Sequence, residues 1–149
     1  MHRTITIRAG CGPFNIPTNL AIAPDGDLYV ADGYGNASIH RFTPGGELIQ
    51  SWGNPGDGPG EFNVPHGIAV DQQGQVIVAD RENSRLQFFT PDGGLADTWT
   101  DVVRPTQVVV DQEGNLWVSE LGTIAGLFPF LDPPDNPVGS RVSVFSASG

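Results

Sequence analysis

The sequence predicts an all-β protein, a β-propeller in which one chain supplies three four-stranded blades. Three observations carry this reading. One sequence unit recurs three times at the spacing of a propeller blade. Each unit reads as a set of short strands. Tight-turn residues separate the strands, Gly (20) and Pro (13) making up more than a fifth of the 149 residues.

The recurring unit begins at Ile16-Pro17-Thr18-Asn19-Leu20-Ala21-Ile22, Val64-Pro65-His66-Gly67-Ile68-Ala69-Val70 and Arg104-Pro105-Thr106-Gln107-Val108-Val109-Val110. A glycine follows each proline by nine positions (Gly26, Gly74, Gly114), and an acid follows by fifteen (Asp32, Asp80, Glu120). The prolines stand 48 and 40 residues apart. Acids that recur once per blade mark a structural turn, so these three are not assigned to chemistry.

In each unit the apolar run after the proline is the inner strand. Leu28-Tyr29-Val30-Ala31, Val76-Ile77-Val78-Ala79 and Leu116-Trp117-Val118-Ser119 form the second. Ile39–Phe42, Leu86–Phe89 and Val142–Phe145 form the third, and outer strands end on Trp52 and Trp99. Apolar inner strands with alternating outer ones suit a blade that is buried at its centre and wet at its rim. The boundaries are about 15–53 for blade one, about 63–100 for blade two and about 104–149 for blade three.

The third unit ends before an outer strand, whereas Thr4-Ile5-Thr6-Ile7 precedes the first unit as Leu48–Trp52 precedes the second. Residues about 3–8 are therefore expected to be the outer strand of a shared blade. Three blades are too few to close a ring, because propellers have about four or more. A homodimer that exchanges its N-terminal strands makes six blades, and this is the expected assembly. An insertion at about 121–140, rich in Pro, Gly and Phe, joins the second and third strands of blade three. It projects as a lid or dimer contact, or packs on its own blade.

The formal net charge of −10 disfavours nucleic acid and anionic membrane as partners. Cys11 is the only cysteine, which removes any intrachain disulfide. The first residues, Met1 to Arg8, alternate polar and apolar and do not read as a signal peptide. A cytoplasmic location is the default expectation.

Residues 13–119 resemble NHL-repeat six-bladed propellers. Within that class, the stretch from Asp32 to Gly93 is most similar to the peptidyl-α-hydroxyglycine α-amidating lyases and their bacterial relatives. Three motifs carry the likeness: Asp32-Gly33-Tyr34-Gly35-Asn36, Pro59-Gly60-Glu61-Phe62-Asn63-Val64-Pro65-His66 and Ala79-Asp80-Arg81-Glu82-Asn83. The resemblance implies that Tyr34 is catalytic, that His66 binds a channel metal and that Arg81 lines the site. A Tyr near a cation can take a proton, a metal can polarise a hydroxyl, and Arg can hold a carboxylate. The family uses three His ligands from alternate blades, whereas Thr18, His66 and Thr106 stand at the matching positions here. The family's further inner-strand arginine has no match.

Three functional readings follow. The first is a binding scaffold that takes a peptide, protein or small ligand at one face of the channel. The second is a metal-dependent lyase or hydrolase of the amidating-lyase type, with zinc or calcium in the channel and Tyr34, Arg81 and His66 as its site. The third is a truncated propeller fragment without evolved activity. For the individual residues there are structural readings too: Tyr34 as a turn cap, His66 as polar channel lining and Arg81 as an ion-paired loop residue.

Overall fold

The computed structural model describes residues 13–123 and 138–146. The strand expected at about 3–8 lies outside them, as does most of the insertion expected at about 121–140. Three antiparallel sheets follow one another along the chain. The first contains β1 (Asn19–Ile22), β2 (Leu28–Asp32), β3 (Ser38–Phe42) and β4 (Leu48–Trp52). The second contains β5 (Pro65–Val70), β6 (Val76–Asp80), β7 (Arg85–Phe89) and β8 (Leu95–Trp99). The third contains β9 (Pro105–Val110), β10 (Leu116–Glu120) and β11 (Arg141–Phe145). Each sheet is a meander with its strands in sequence order, which is the arrangement of a propeller blade.

The register shows why apolar residues recur in the inner strands. Pairing sets Ala21 beside Tyr29 on one face of blade one, and Leu20 beside Val30 on the other. Tyr29, Ala31, Ile39 and Trp52 pack against Ile68, Val76, Val78 and Phe89 of blade two. The opposite face of blade two, with Ile77, Leu86 and Phe88, packs against Val108, Leu116 and Val118 of blade three. Both faces of the middle blade are covered, and every residue of β6 and β7 is buried. Two aromatic ladders seal the rims of these interfaces: Trp52–Phe89–Phe62 on one side and Phe88–Trp99–Phe145 on the other.

The repeating acids are buried and tie each blade's inner corner together. Asp32 accepts the backbone N–H of Asn15 at 2.8 Å, Asp80 that of Asn63 at 2.7 Å, and Glu120 that of Val103 at 2.5 Å. Each donor lies two residues before the repeat's proline. The third strand supplies a second donor to the same acid: His40 at 3.4 Å, Gln87 at 3.3 Å and the hydroxyl of Ser143. Because the Asp32 carboxylate only accepts, the His40 Nε2–H is the donor, and Nδ1 accepts from the Ser51 hydroxyl at 2.7 Å. Asp80 also accepts from Asn83 and Arg85, and the Arg85 guanidinium in turn donates to the carbonyls of Asp57, Gly58 and Glu61.

Replacing the buried Asp80 by Asn puts an amide among four donors. Asp80→Asn is expected to cost about 3 kcal/mol in urea unfolding, since an uncompensated group in a buried charged network is costly. A loss below about 0.5 kcal/mol, typical of an exposed site, contradicts this role.

Burial pushes the His40 imidazole below its ordinary range, while the Asp32 carboxylate pulls the other way. Folding therefore favours the neutral ring, and the unfolded chain gains a proton as pH falls through about 6.5. Stability from this site is present above that pH and lost below it. His40→Gln, which copies Gln87 of the next blade, should shrink the drop in urea midpoint between about pH 7.5 and about pH 5.5. An unchanged drop refutes the assignment.

Candidate functional site at the channel mouth

The turn after the second strand of each blade folds back on the segment before its inner strand. Tyr34 N–H donates to the Ile16 carbonyl, Arg81 N–H to Val64 and Leu121 N–H to Arg104. Tyr34, Arg81 and Leu121 thus occupy equivalent places at one end of the three inner strands. The accepting residue in each case directly precedes the proline and has a positive φ: 62° at Ile16, 57° at Val64 and 49° at Arg104. Such backbone costs on the order of 1–3 kcal/mol per residue, more readily borne by Gly than by β-branched Ile or Val.

Tyr34 is held on both sides. A Cβ on Gly33 would lie 2.1 Å from the Pro65 carbonyl oxygen, and one on Gly35 would lie 2.1 Å from the Asn15 side chain. Asn15 donates to the Gly35 carbonyl, and Asn36 donates to Asp32 and to the Pro13 carbonyl. The turn-capping role read for this motif therefore belongs to Asp32 and Asn36. The Tyr34 side chain points away from the turn and is 54% exposed.

The ring leads to the other two residues singled out in the sequence. Tyr34 Oη lies 3.1 Å from His66 Nε2, with the rings edge to face, and 3.2 Å from an Arg81 terminal nitrogen. The Arg81 guanidinium also sits 5.4 Å above the Tyr34 ring. On its other side, His66 Nδ1 lies 2.8 Å from the Thr106 carbonyl oxygen of blade three. That carbonyl can only accept, so Nδ1 carries the proton and Nε2 presents its lone pair. Tyr34 O–H therefore donates to His66 and Arg81 donates to Tyr34. Burial, reinforced by Arg81, pushes the imidazole down and outweighs the Thr106 carbonyl and the more distant Glu82, so the ring is neutral near pH 7.

Arg81 is ion-paired as the structural reading foresaw, its Nε donating to Glu82 at 2.7 Å. Glu82 also takes two hydrogen bonds from Arg104 of blade three, at 2.9 and 3.0 Å. The two arginines hold the Glu82 carboxyl below the usual range against the opposing effect of burial. Arg81 and Arg104 thus both pair with Glu82. Glu82 is the expected neighbour of Arg81 in the ion pair, whereas the reach of Arg104 from blade three was not expected from the sequence. The signal lay in the pre-proline position, where Ile16 and Val64 are apolar and Arg104 is charged.

The described residues do not by themselves make up a metal centre at this corner. Thr18 donates its hydroxyl to the Pro65 and Ala31 carbonyls, and Thr106 donates to Ser119, so both serve as hydrogen-bonding stitches. Among the described residues no group of three or more His, Cys, Asp or Glu side chains could hold an ion. Zinc requires about four ligands and calcium six or more. His66 supplies one.

On this fold of β-propeller type, the NHL repeat matches residues 14–42 and 62–89, in the first two blades. Over 82 residues, 51% of the chain, the sequence is 45% identical to peptidyl-glycine alpha-amidating monooxygenase of Mus musculus, covering 8% of that protein. Over 37 residues, 25% of the chain, it is 51% identical to peptidyl-alpha-hydroxyglycine alpha-amidating lyase 1 of Drosophila melanogaster, covering 7% of that protein. The chain thus spans less than a tenth of the length of these curated relatives. Among solved structures, Kuenenia stuttgartiensis hydrazine synthase superposes with a TM-score of 0.67 at 13% identity, covering 92% of this chain and 34% of that one. A luciferin-regenerating enzyme superposes with a TM-score of 0.66 at 19% identity, covering 91% of this chain and 46% of that one. These two likenesses concern the fold alone.

Gly33→Ala should destabilise the protein by about 1–3 kcal/mol, because the new Cβ meets backbone that cannot move cheaply. Gly45→Ala, where the nearest atom is an ordinary 3.5 Å away, is the control and should stay within about 0.5 kcal/mol. Equal effects of the two in thermal unfolding would show that the Tyr34 turn is not tightly held.

Proposed function

We propose that this chain is a propeller binding scaffold whose Tyr34–His66–Arg81 corner takes the carboxylate end of a small acylated acid or a peptide. The observation that carries the reading is the chain of hydrogen bonds from Arg81 to Tyr34 to His66, built from two blades around an exposed tyrosine on an over-determined turn. Arg81 spends its Nε on Glu82, and its second terminal amino group makes no hydrogen bond among the described residues. A carboxylate there would meet a charged donor, the Tyr34 hydroxyl and a neutral imidazole, with Arg104 adding positive potential. Two copies with three blades each would supply a six-bladed ring.

A second reading is favoured by the 82-residue likeness: cleavage of an N-acyl-α-hydroxyglycine, the chemistry in the Drosophila relative's name. In that step Tyr34, relayed to His66, takes the proton of the substrate hydroxyl. The oxygen's electron pair forms the aldehyde C=O bond of an α-oxo acid, the C–N bond breaks, and the amide nitrogen takes up the proton that Tyr34 had passed to His66. Arg81 holds the carboxylate throughout. No metal enters this account.

Titration calorimetry with N-acetylglycine tests the binding reading. Wild-type protein should bind, and Arg81→Ala should weaken binding by about ten-fold or more, the scale of a lost charged hydrogen bond. Tyr34→Phe should weaken it less. Affinity unchanged by both substitutions contradicts the assignment. Incubation with N-acetyl-α-hydroxyglycine tests the second reading separately: an absence of α-oxo acid above the spontaneous rate ends it and leaves the binding site intact.

A further inference from the structure

Each blade has a face turned toward the preceding blade and a face turned toward the next. Sheet register makes these faces comparable residue by residue. Leu20, Ile22 and Val30 in blade one match Ile68, Val70 and Val78 in blade two, at the same distances from the repeat's proline. Ile68 and Val78 are buried against blade one, at 3% and 0% exposure. Leu20 and Ile22 have the same place and chemistry but are 59% and 65% exposed.

The far side of blade three mirrors this. Val109, Trp117 and Val144 are cross-strand neighbours in one row of the sheet. They match Ala69, Ile77 and Phe88, which bury the second face of blade two against blade three. Ile77 is 1% exposed, whereas Trp117 is 46% exposed and Val142 is 65%. The two open faces are thus the two halves of the interface that this chain already forms twice internally.

We infer that the Leu20 face of blade one seats on the Trp117 face of blade three of a second copy of this chain, and that the same contact, repeated by a twofold axis, closes a ring of six blades. The chemistry of each half is that of the buried interfaces, apolar side chains on a twisted sheet, so the contact extends the established packing. Propellers have about 4–8 blades, and two copies of the three described blades fall in that range. The contact joins two different faces, so it would propagate into an open chain if the geometry did not close. This inference is independent of any ligand at Tyr34 and Arg81.

Sedimentation at about ten micromolar, in the range where stable interfaces hold together, tests it. The wild-type chain should run at twice its 15.8 kDa mass. Leu20→Asp and Trp117→Lys should each run as monomers with unchanged β-sheet circular dichroism, since both side chains are exposed within the chain. Mixed in equal amounts they should dimerise again, because the mixed dimer keeps one unaltered contact and pairs Asp with Lys at the other. Ile22→Asp with Val142→Lys is the second pair should either variant of the first fail to fold. A monomeric or open-ended wild type overturns the ring. Dimers that survive both substitutions, or monomers that do not recombine on mixing, overturn the pairing of these two faces.

Discussion

The buried acid of each blade is the interaction on which the rest of the molecule depends. Asp32, Asp80 and Glu120 each accept a backbone N–H from the segment before the proline and a side-chain donor from the third strand. One carboxylate therefore joins the entry loop, the second strand and the third strand. It also stabilises a pre-proline residue at positive φ, a conformation that Ile and Val adopt only when their surroundings compel it. The functional loop sits directly on this joint. Tyr34 and Arg81 follow their acids by two residues and one, and both are set by backbone hydrogen bonds to the strained residue. The acids thereby determine where Tyr34 and Arg81 stand.

The fold was legible because its signals are local and repeated. The spacing from Pro to Gly to acid is the same in all three units, and the strand pairs it predicts, down to the terminal Trp52 and Trp99, are those observed. The structural role of the acids was legible for the same reason. The site was half legible. Tyr34, His66 and Arg81 were reached through family likeness, and the structure brings all three within hydrogen-bonding distance. What sequence could not show were contacts between repeats: Thr106 presenting only its backbone carbonyl to His66, and Arg104 reaching Glu82 from the next blade. A carbonyl carries no residue signature. Asn19 likewise meets Gln107 across 88 positions, past Gly67, whose hydrogen leaves the room that a Cβ would take from Gln107.

These cross-blade bonds account for the polar lining of the corner. Where the family likeness implies three histidines, two threonines fasten strand to strand, and the single histidine is fixed by Thr106 with its lone pair turned to Tyr34. Beside it, Arg81 and Arg104 of neighbouring blades both pair with Glu82.

The most direct test is a crystal structure grown with N-acetylglycine. The account predicts the carboxylate within hydrogen-bonding distance of the Arg81 guanidinium and the Tyr34 hydroxyl, with Tyr34 still joined to His66 Nε2. A carboxylate bound away from these residues, or a Tyr34 turned out of the corner, would contradict it.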